Sequence, residues 1–360
     1  MEIMYRINYI FLSFCVFYLI NFNASSNDNL FPIKKKGQYG YINPKGEIQI
    51  KPKYKLVSLF TKGFAVVRIE ANKWQVIDCN GNILIECSHW LPPIVGDAVI
   101  GVNSLSESFL YKPLTKEKIV VPQGILILRY SDELFLIKLG KREGYLDLNG
   151  KYFCDPVYEN CNIFNEGLGC VKINGTYQVI NKNKKIVFES THSIGSFSCG
   201  LATIADGIDK WGYINRKGMI TIPTNFHYCE LFYNDLAVVQ NSTSGYAVID
   251  KEGTILVPFD ADFKWIGLFN KTLAPACKMI NNSERYGYIN KNGEFVITPK
   301  YARAYAFYDG YALVEDEGNG IYGYIDEGGK YMWKGEYEDR FFNLKNDEND
   351  CFLINPAFEY

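Results

Sequence analysis

The sequence predicts an all-β chain: a tandem array of about nine three-stranded antiparallel β-repeats. Three observations predict it. An aromatic-Gly-Tyr-Ile-Asn phrase keeps returning, as at Tyr39-Gly40-Tyr41-Ile42-Asn43, Trp211-Gly212-Tyr213-Ile214-Asn215 and Tyr286-Gly287-Tyr288-Ile289-Asn290. Each copy is followed by a Gly-closed turn and a short apolar run ending at Pro. Beyond the Pro, aromatic residues recur six apart: Tyr54 and Phe60, Tyr158 and Phe164, Phe226 and Phe232, Phe263 and Phe269, Tyr301 and Phe307. A repeat of this kind fixes architecture, because each unit buries its apolar face mainly on its neighbours.

The markers fall at 40, 75, about 110, 144, 178, 212, 247, 287 and 323. Their spacing is roughly 34 to 36 residues, apart from a step of 40 between Ala247 and Gly287. Polar residues at Lys278–Glu284 read as a loop insertion that explains the longer step. Gly40, Gly144, Gly212, Gly287 and Gly323 keep the glycine, whereas Gln75, Gln178 and Ala247 replace it. The copy near Leu110 rests on spacing and on Ile119-Val120-Val121-Pro122.

Each element has a local reason. Gly-Tyr-Ile-Asn is β-prone, and Asn43-Pro44-Lys45-Gly46 suits a type I turn closed by a left-handed Gly. Gly218 and Gly293 stand at the same place in later copies. The apolar runs Ile48-Gln49-Ile50, Ile220-Thr221-Ile222 and Phe295-Val296-Ile297 give a second strand, which Pro52, Pro223 and Pro299 are expected to end. Ala65-Val66-Val67 and Ala312-Leu313-Val314 open a third. Stacked aromatic pairs, including Phe60, Phe164, Phe232, Phe269 and Phe307, would supply most of the burial. With about 35 residues and three strands per unit, an open curved solenoid is expected, with a propeller-like ring as the alternative.

Lys210-Trp211-Gly212, the Asn-x-x-Gly turn and the Phe-x-x-Gly-x-Ala segment resemble the WG (KWG-type) β-repeat family of mostly bacterial proteins. The resemblance covers residues 38–335 and implies tandem β-repeats without an assigned activity. Tyr39, Tyr286 and Tyr322 stand where the family has Trp, and Glu143 carries no ring there.

Composition agrees with a single array. The 360 residues are 48% hydrophobic and 16% aromatic, which suits ring-anchored β modules. Residues 1–26 read as a signal peptide or N-terminal anchor. Their core, Ile7 to Phe22, is apolar, follows Arg6 and precedes Ala24-Ser25-Ser26, with cleavage near Ser26. Residues 27–37 read as a linker, 38–335 as the array and 336–360 as a polar C-terminal cap. Export to the periplasm, cell envelope or exterior is the expected location, or anchoring by an uncleaved leader.

The chemistry-bearing residues are sparse. There are ten cysteines but no Cys-x-x-Cys, and buried thiols acting as small apolar residues are expected in preference to a disulfide framework. His89, His192 and His227 lie in separate repeats with no ligand or carboxylate at metal spacing. Asn346–Asp350 lacks the Gly turn and distal Glu of a calcium loop. Gly318-Asn319-Gly320-Ile321-Tyr322-Gly323 fits dinucleotide spacing, but a β-repeat continues where a helix is required. The formal charge of −2 and a lone basic run, Lys34-Lys35-Lys36, disfavour nucleic acid, and the run reads as a solvated junction. No catalytic residue, metal ligand or cofactor site is assigned, and the ligand-binding residues are left unidentified.

The functional expectation is a non-catalytic scaffold for a protein or polysaccharide partner, touching membrane only through an uncleaved leader. The alternatives are an envelope glycan hydrolase using carboxylates from several repeats and a self-associating structural surface component.

Overall fold

The computed structural model describes residues 30–336, apart from 62, 89–93, 96–98, 104–107, 242–244, 261, 317 and 319. The leader, most of the C-terminal cap and His89 lie outside the described residues. The described chain forms nine antiparallel sheets, eight of four strands and the first of three. They are the blades of a nine-bladed β-propeller. Strands are called a to d from the axis outward. Blade 2 has a at Leu56–Val57, b at Phe64–Glu70, c at Lys73–Asp78 and d at Ile83–Ser88. Blade 1 has b at Phe31–Lys35, c at Gln38–Ile42 and d at Ile48–Tyr54. Blades 3 to 9 follow at 94–120, 125–158, 160–190, 193–226, 228–260, 263–301 and 303–336.

The open solenoid is corrected to the closed ring. The Gly of each c–d turn packs on the d strand of the preceding blade: Gly81 faces Ile50, Gly218 faces Phe188, Gly253 faces Ile222 and Gly293 faces Val257. Gly46 of blade 1 makes the same approach to Met332 of blade 9. Phe31 of blade 1 packs against Tyr311 and Tyr324 of blade 9, with centroids 5.3 and 5.2 Å away. One buried cluster joins the two ends, with Phe31, Ile33 and Tyr41 beside Tyr305, Leu313 and Tyr324.

Every marker from the sequence falls on a c strand, the one near Leu110 included, which lies on Phe109–Lys112. The three runs of the sequence unit are c, d and the b strand of the next blade. The short a strand was missed. It hides in the six-residue aromatic spacing, as Leu56–Val57, Asn160–Cys161, Tyr228–Cys229 and Arg303–Ala304. Two or so residues carry no readable period, and only the ring gives them a neighbour to pair with. The insertion at Lys278–Glu284 is no loop either: Ala274–Ile280 and Ser283–Ile289 are strands joined at Asn281-Asn282, both at positive φ as a tight hairpin turn requires. The first strand, Phe31–Lys35, lies inside the stretch read as a linker.

Pro does not end the second strand; it sits within d. The reason lies in the c-strand Gly. In blades 1, 4, 6 and 8, two residues of c oppose four of d: Tyr39 and Tyr41 pair with Tyr54 and Ile50, and Trp211 and Tyr213 with Phe226 and Ile222. The surplus residues fold over the Gly, so that a Cβ on Gly212 would meet the Ile222 carbonyl oxygen at 2.5 Å. Pro within the bulge loses no ladder bond, because the bulge has left the ladder. In blade 7 Ala247 takes the Gly place, and three d residues oppose the two. In blades 2 and 5 Gln75 and Gln178 take it, the d strand runs straight and carries no Pro, and each Gln amide donates instead to Glu86 or Glu189 at 2.5 or 2.6 Å. Bulge size thus falls as the side chain at this place grows. Blade 9 departs from the trend, keeping Gly323 against a straight register.

Candidate interaction surface

Neighbouring blades are fastened by the aromatic residues that the sequence singles out, though in a different pairing. The Tyr after each c-strand Gly meets the loop Phe of the next blade: Tyr41 with Phe60 at 4.8 Å, Tyr145 with Phe164 at 4.9 Å, Tyr213 with Phe232 at 4.6 Å and Tyr288 with Phe307 at 4.7 Å. Tilted and edge-on pairs of this kind contribute about 0.5–1.5 kcal/mol beyond their area. Each hydroxyl also donates to a carbonyl of the same loop: Tyr41 to Ser58 at 2.8 Å, Tyr213 to Glu230 at 2.6 Å, Tyr288 to Tyr305 at 2.9 Å, and Tyr145 to Asn162. Burial raises these phenols above their ordinary range. Phe269 is buried in the same loop position of blade 8. Trp211 packs on Tyr228 at 5.6 Å.

The thiols behave as the sequence suggests. Among the described residues Cys79, Cys87, Cys154, Cys161, Cys170, Cys199, Cys229 and Cys277 form no disulfide, and six of them are buried. Burial pushes the Cys170 and Cys87 thiols up to about 12. Neither of these two is poised as a thiolate nucleophile.

Of the two faces, the one bearing the a–b loops and c–d turns spends its polar groups on the ring itself. Asn165 donates to the Phe197 carbonyl at 2.7 Å, Ser198 to Phe232 at 2.6 Å, Asn234 to Phe269 at 3.0 Å, and Asn270 to Phe307. Lys182 pairs with Asp132 at 3.7 Å and Arg216 with Glu166 at 3.3 Å, again between blades. The outer rim exposes Ile48, Ile83, Ile186, Ile220, Ile255 and Val296 on d strands. Pro52, Pro156, Pro223, Pro258 and Pro299 interrupt those edges and blunt their capacity to pair.

The opposite face, formed by the b–c hairpin turns, gathers lysines at blades 1 and 2. Lys34, Tyr39 and Tyr54 are cross-strand neighbours, Lys36 occupies the turn, and Lys55 donates its amide to the Arg68 carbonyl of blade 2. Lys34, Lys35, Lys36, Lys53 and Lys55 therefore gather at one end of blades 1 and 2. Four of the five lysines are exposed and Lys34 is half-buried. Their stems are braced on rings, Lys34 over Tyr39 at 5.2 Å and Lys53 over Tyr54 at 5.1 Å. Lys73 beside them is paired with Glu86 at 3.4 Å. The basic run is thus half of a folded sector; the other half lies about twenty residues on, which a linear reading does not join.

Two histidines acquire carboxylates that the sequence does not suggest. His192 and His227 stand 2.9 and 3.2 Å from Asp206 and Asp209, the two acids of the blade 6 hairpin. Among the described residues no group of three His, Cys, Asp or Glu could hold a metal ion. One carboxylate is unusual. Burial of Glu230, where the a strand of blade 7 enters its loop, pushes its pKa up to about 7 against a hydrogen bond from Tyr228.

The model of the WG containing repeat matches residues 39–74, 144–177, 211–242 and 286–319. In those four segments the chain is similar to the WG containing repeat. The four matches begin on the c strands of blades 1, 4, 6 and 8, the blades whose Gly lies under the wide bulge. A WG repeat therefore straddles two blades, running from c and d of one into a and b of the next. No curated protein matches the chain. Among solved structures, the crystal structure of the eukaryotic initiation factor aligns at TM-score 0.60 and 9% identity, over 86% of this chain and 96% of that one. BamB from Moraxella catarrhalis aligns at TM-score 0.40 and 12% identity over 73% and 97%. At such identity the first likeness concerns the fold alone. Among the described residues no helix is long and apolar enough to cross a membrane.

Proposed function

We propose that the WG-repeat ring is a non-catalytic scaffold, exported by its N-terminal segment, that holds an anionic protein or polysaccharide at the cell envelope or outside the cell. The lysine sector on the hairpin face of blades 1 and 2 supports this reading. Like charges held together on a rigid scaffold raise the local potential and draw in an acidic partner, and the effect weakens with salt. The net charge of the chain is −2, so a sector of this sign is local and not a general property of the surface.

The test is retention of the leaderless chain on immobilised alginate and on polyglutamate at low and high salt. Retention at low salt that is lost in Lys53→Glu/Lys55→Glu, with melting unchanged, is expected. Equal retention of the variant would remove the sector from the function. Mass determination of the mature N-terminus after cell fractionation tests export.

Glu230 favours a second reading, hydrolysis of an envelope glycan. A carboxyl with a pKa near neutrality suits a general acid, and a second carboxylate across a cleft would be required. Turnover of a glycan substrate abolished by Glu230→Gln would replace the scaffold with an enzyme. The exposed aliphatic rim would serve self-association as a surface component, read out by mass that grows with concentration.

A further inference from the structure

A second departure from the repeat lies away from the hairpin face, where the c–d turns of blades 5 and 6 meet the outer rim. In blades 1, 2, 4, 7, 8 and 9 the residues of that turn include an acid, such as Glu47, Asp147 or Asp250. Blade 3 ends its turn on the pair of Lys112 with Glu117 at 3.1 Å. The turns of blades 5 and 6 read Asn181-Lys182-Asn183-Lys184-Lys185 and Asn215-Arg216-Lys217-Gly218-Met219, with cations and no acid. The turn itself does not require this charge. Its first residue holds it by accepting from the amides that follow, and neutral Asn181 and Asn215 do so as Asp250 does.

Two of the cations are spent inside the ring, Lys182 on Asp132 and Arg216 on Glu166. Lys184, Lys185 and Lys217 are exposed. Among the described residues none of these three forms an ion pair, and Lys184 instead lies over the Phe153 ring of blade 4 at 5.2 Å. The acid further along d of blade 5, Glu189, accepts from Gln178 at 2.6 Å.

Where each of these turns enters d stand two apolar side chains, Ile186 with Val187 in blade 5 and Met219 with Ile220 in blade 6. Their exposures of 51%, 41%, 55% and 55% leave much of their apolar area in water. The two segments form one patch. The blade 6 turn folds over the blade 5 d strand, so that a Cβ on Gly218 would meet the Phe188 ring at 2.8 Å, and Lys217 and Met219 flank that contact.

We propose that this stretch of rim docks the ring on an anionic lipid bilayer. Protruding apolar side chains enter the boundary between headgroups and acyl chains, while the lysines beside them reach the phosphates. A purely electrostatic partner, such as a nucleic acid or an acidic polymer, would use the lysines and gain nothing from Ile186, Met219 and Ile220. Charge and apolar surface occur together here, and a bilayer surface satisfies both. The ring then meets lipid at its c–d end and leaves the hairpin face turned away, so the lysine sector of blades 1 and 2 stays open to a soluble partner. Neither export nor that sector is required for the docking.

Co-sedimentation with vesicles tests this. The chain starting at Asn27 keeps every described strand and removes any binding by the apolar leader. It is expected to bind vesicles of phosphatidylglycerol and phosphatidylcholine in equal parts and to ignore pure phosphatidylcholine. Lys184→Gln/Lys185→Gln/Lys217→Gln should weaken binding about a hundredfold, at roughly fivefold per lysine. Ile186→Thr/Ile220→Thr keeps β-branching at both places and should weaken it about tenfold. Both variants should melt with the parent, because they alter exposed side chains; if the triple variant melts lower, Lys217→Gln alone, with a loss of about fivefold, gives the reading. Failure to bind the mixed vesicles would overturn the proposal, as would a lysine variant that binds like the parent. A threonine variant that binds like the parent would also overturn it, in favour of a site for an acidic polymer. So would equal loss in Lys53→Glu/Lys55→Glu, which would move the binding to the hairpin face.

Discussion

Replacing Gly212 by Ala tests the physical core of the repeat. An Ala Cβ would lie 2.5 Å from the Ile222 carbonyl oxygen and 2.7 Å from the Pro223 carbonyl carbon and oxygen, all backbone. Backbone cannot swing aside as a side chain can, so the bulge must lift from the c strand. Overpacking of this kind costs about 1–3 kcal/mol. At roughly 2 cal/mol/K of unfolding entropy per residue, a loss of about 2 kcal/mol lowers the melting temperature of a ring this size by about 3 °C. Val adds two more methyl groups at the same place and should cost more. Blade 7 shows how the chain accommodates a methyl: Ala247 is opposed by a bulge one residue shorter. Deleting Thr224 should therefore harm the parent chain yet recover part of the loss in Gly212→Ala, a coupling that a double-mutant cycle measures. Calorimetry of the four chains is the assay. Gly212→Ala melting within 1 °C of the parent, or a deletion equally harmful in both backgrounds, would refute the reasoning about bulge size.

Tyr213→Phe keeps the ring contact with Phe232 but removes the hydroxyl that donates to the Glu230 carbonyl. A loss of about 1–2 kcal/mol in denaturant unfolding is expected. Glu230→Gln should raise stability at high pH only. Its folded pKa of about 7 lies above the unfolded value near 4.5, so the folded state holds the proton more tightly. Any stability linked to that proton is present below the unfolded value and is lost as pH rises through 7, by at most about 3 kcal/mol. The parent and the Gln variant should therefore diverge in melting temperature between pH 5 and pH 8.5; parallel profiles would contradict the burial of this carboxyl. Reducing agent should leave the melting temperature unchanged, and alkylation of the native chain should reach half-buried Cys79 and Cys199 before buried Cys161, Cys170 and Cys229.

Much of the fold was legible because the residues that shape it are locally improbable. A Gly in mid-strand, a Pro ten or so residues on and a Phe beyond it each violate β propensity unless a bulge and an inter-blade contact require them, so their recurrence marks the unit. What the sequence could not yield was the sign of the curvature across the whole array. The a strands that define the axis are as short as Leu56–Val57, and the residues that close the ring, Phe31 with Tyr311 and Tyr324, look like any other members of the repeat. Ring and solenoid differ only in whether the last interface repeats the first, a relation between residues nearly three hundred positions apart.

The same architecture explains why a binding site was harder to read than the scaffold. The residues the repeat conserves within itself, Tyr41, Phe60, Tyr213, Phe232 and their counterparts, are buried between blades and are therefore unavailable to a ligand. Function must reside where the copies differ, and there periodicity gives no signal. Lys34, Lys35 and Lys36 are adjacent in sequence, but Lys53 and Lys55 join them only because strands b, c and d of blade 1 bring Lys34 and Tyr54 level across the sheet. No other blade places lysines at all five equivalent positions. A departure from the repeat that the ring itself does not need is the feature to mutate first, and blades 1 and 2 carry it beside the junction where the ring closes.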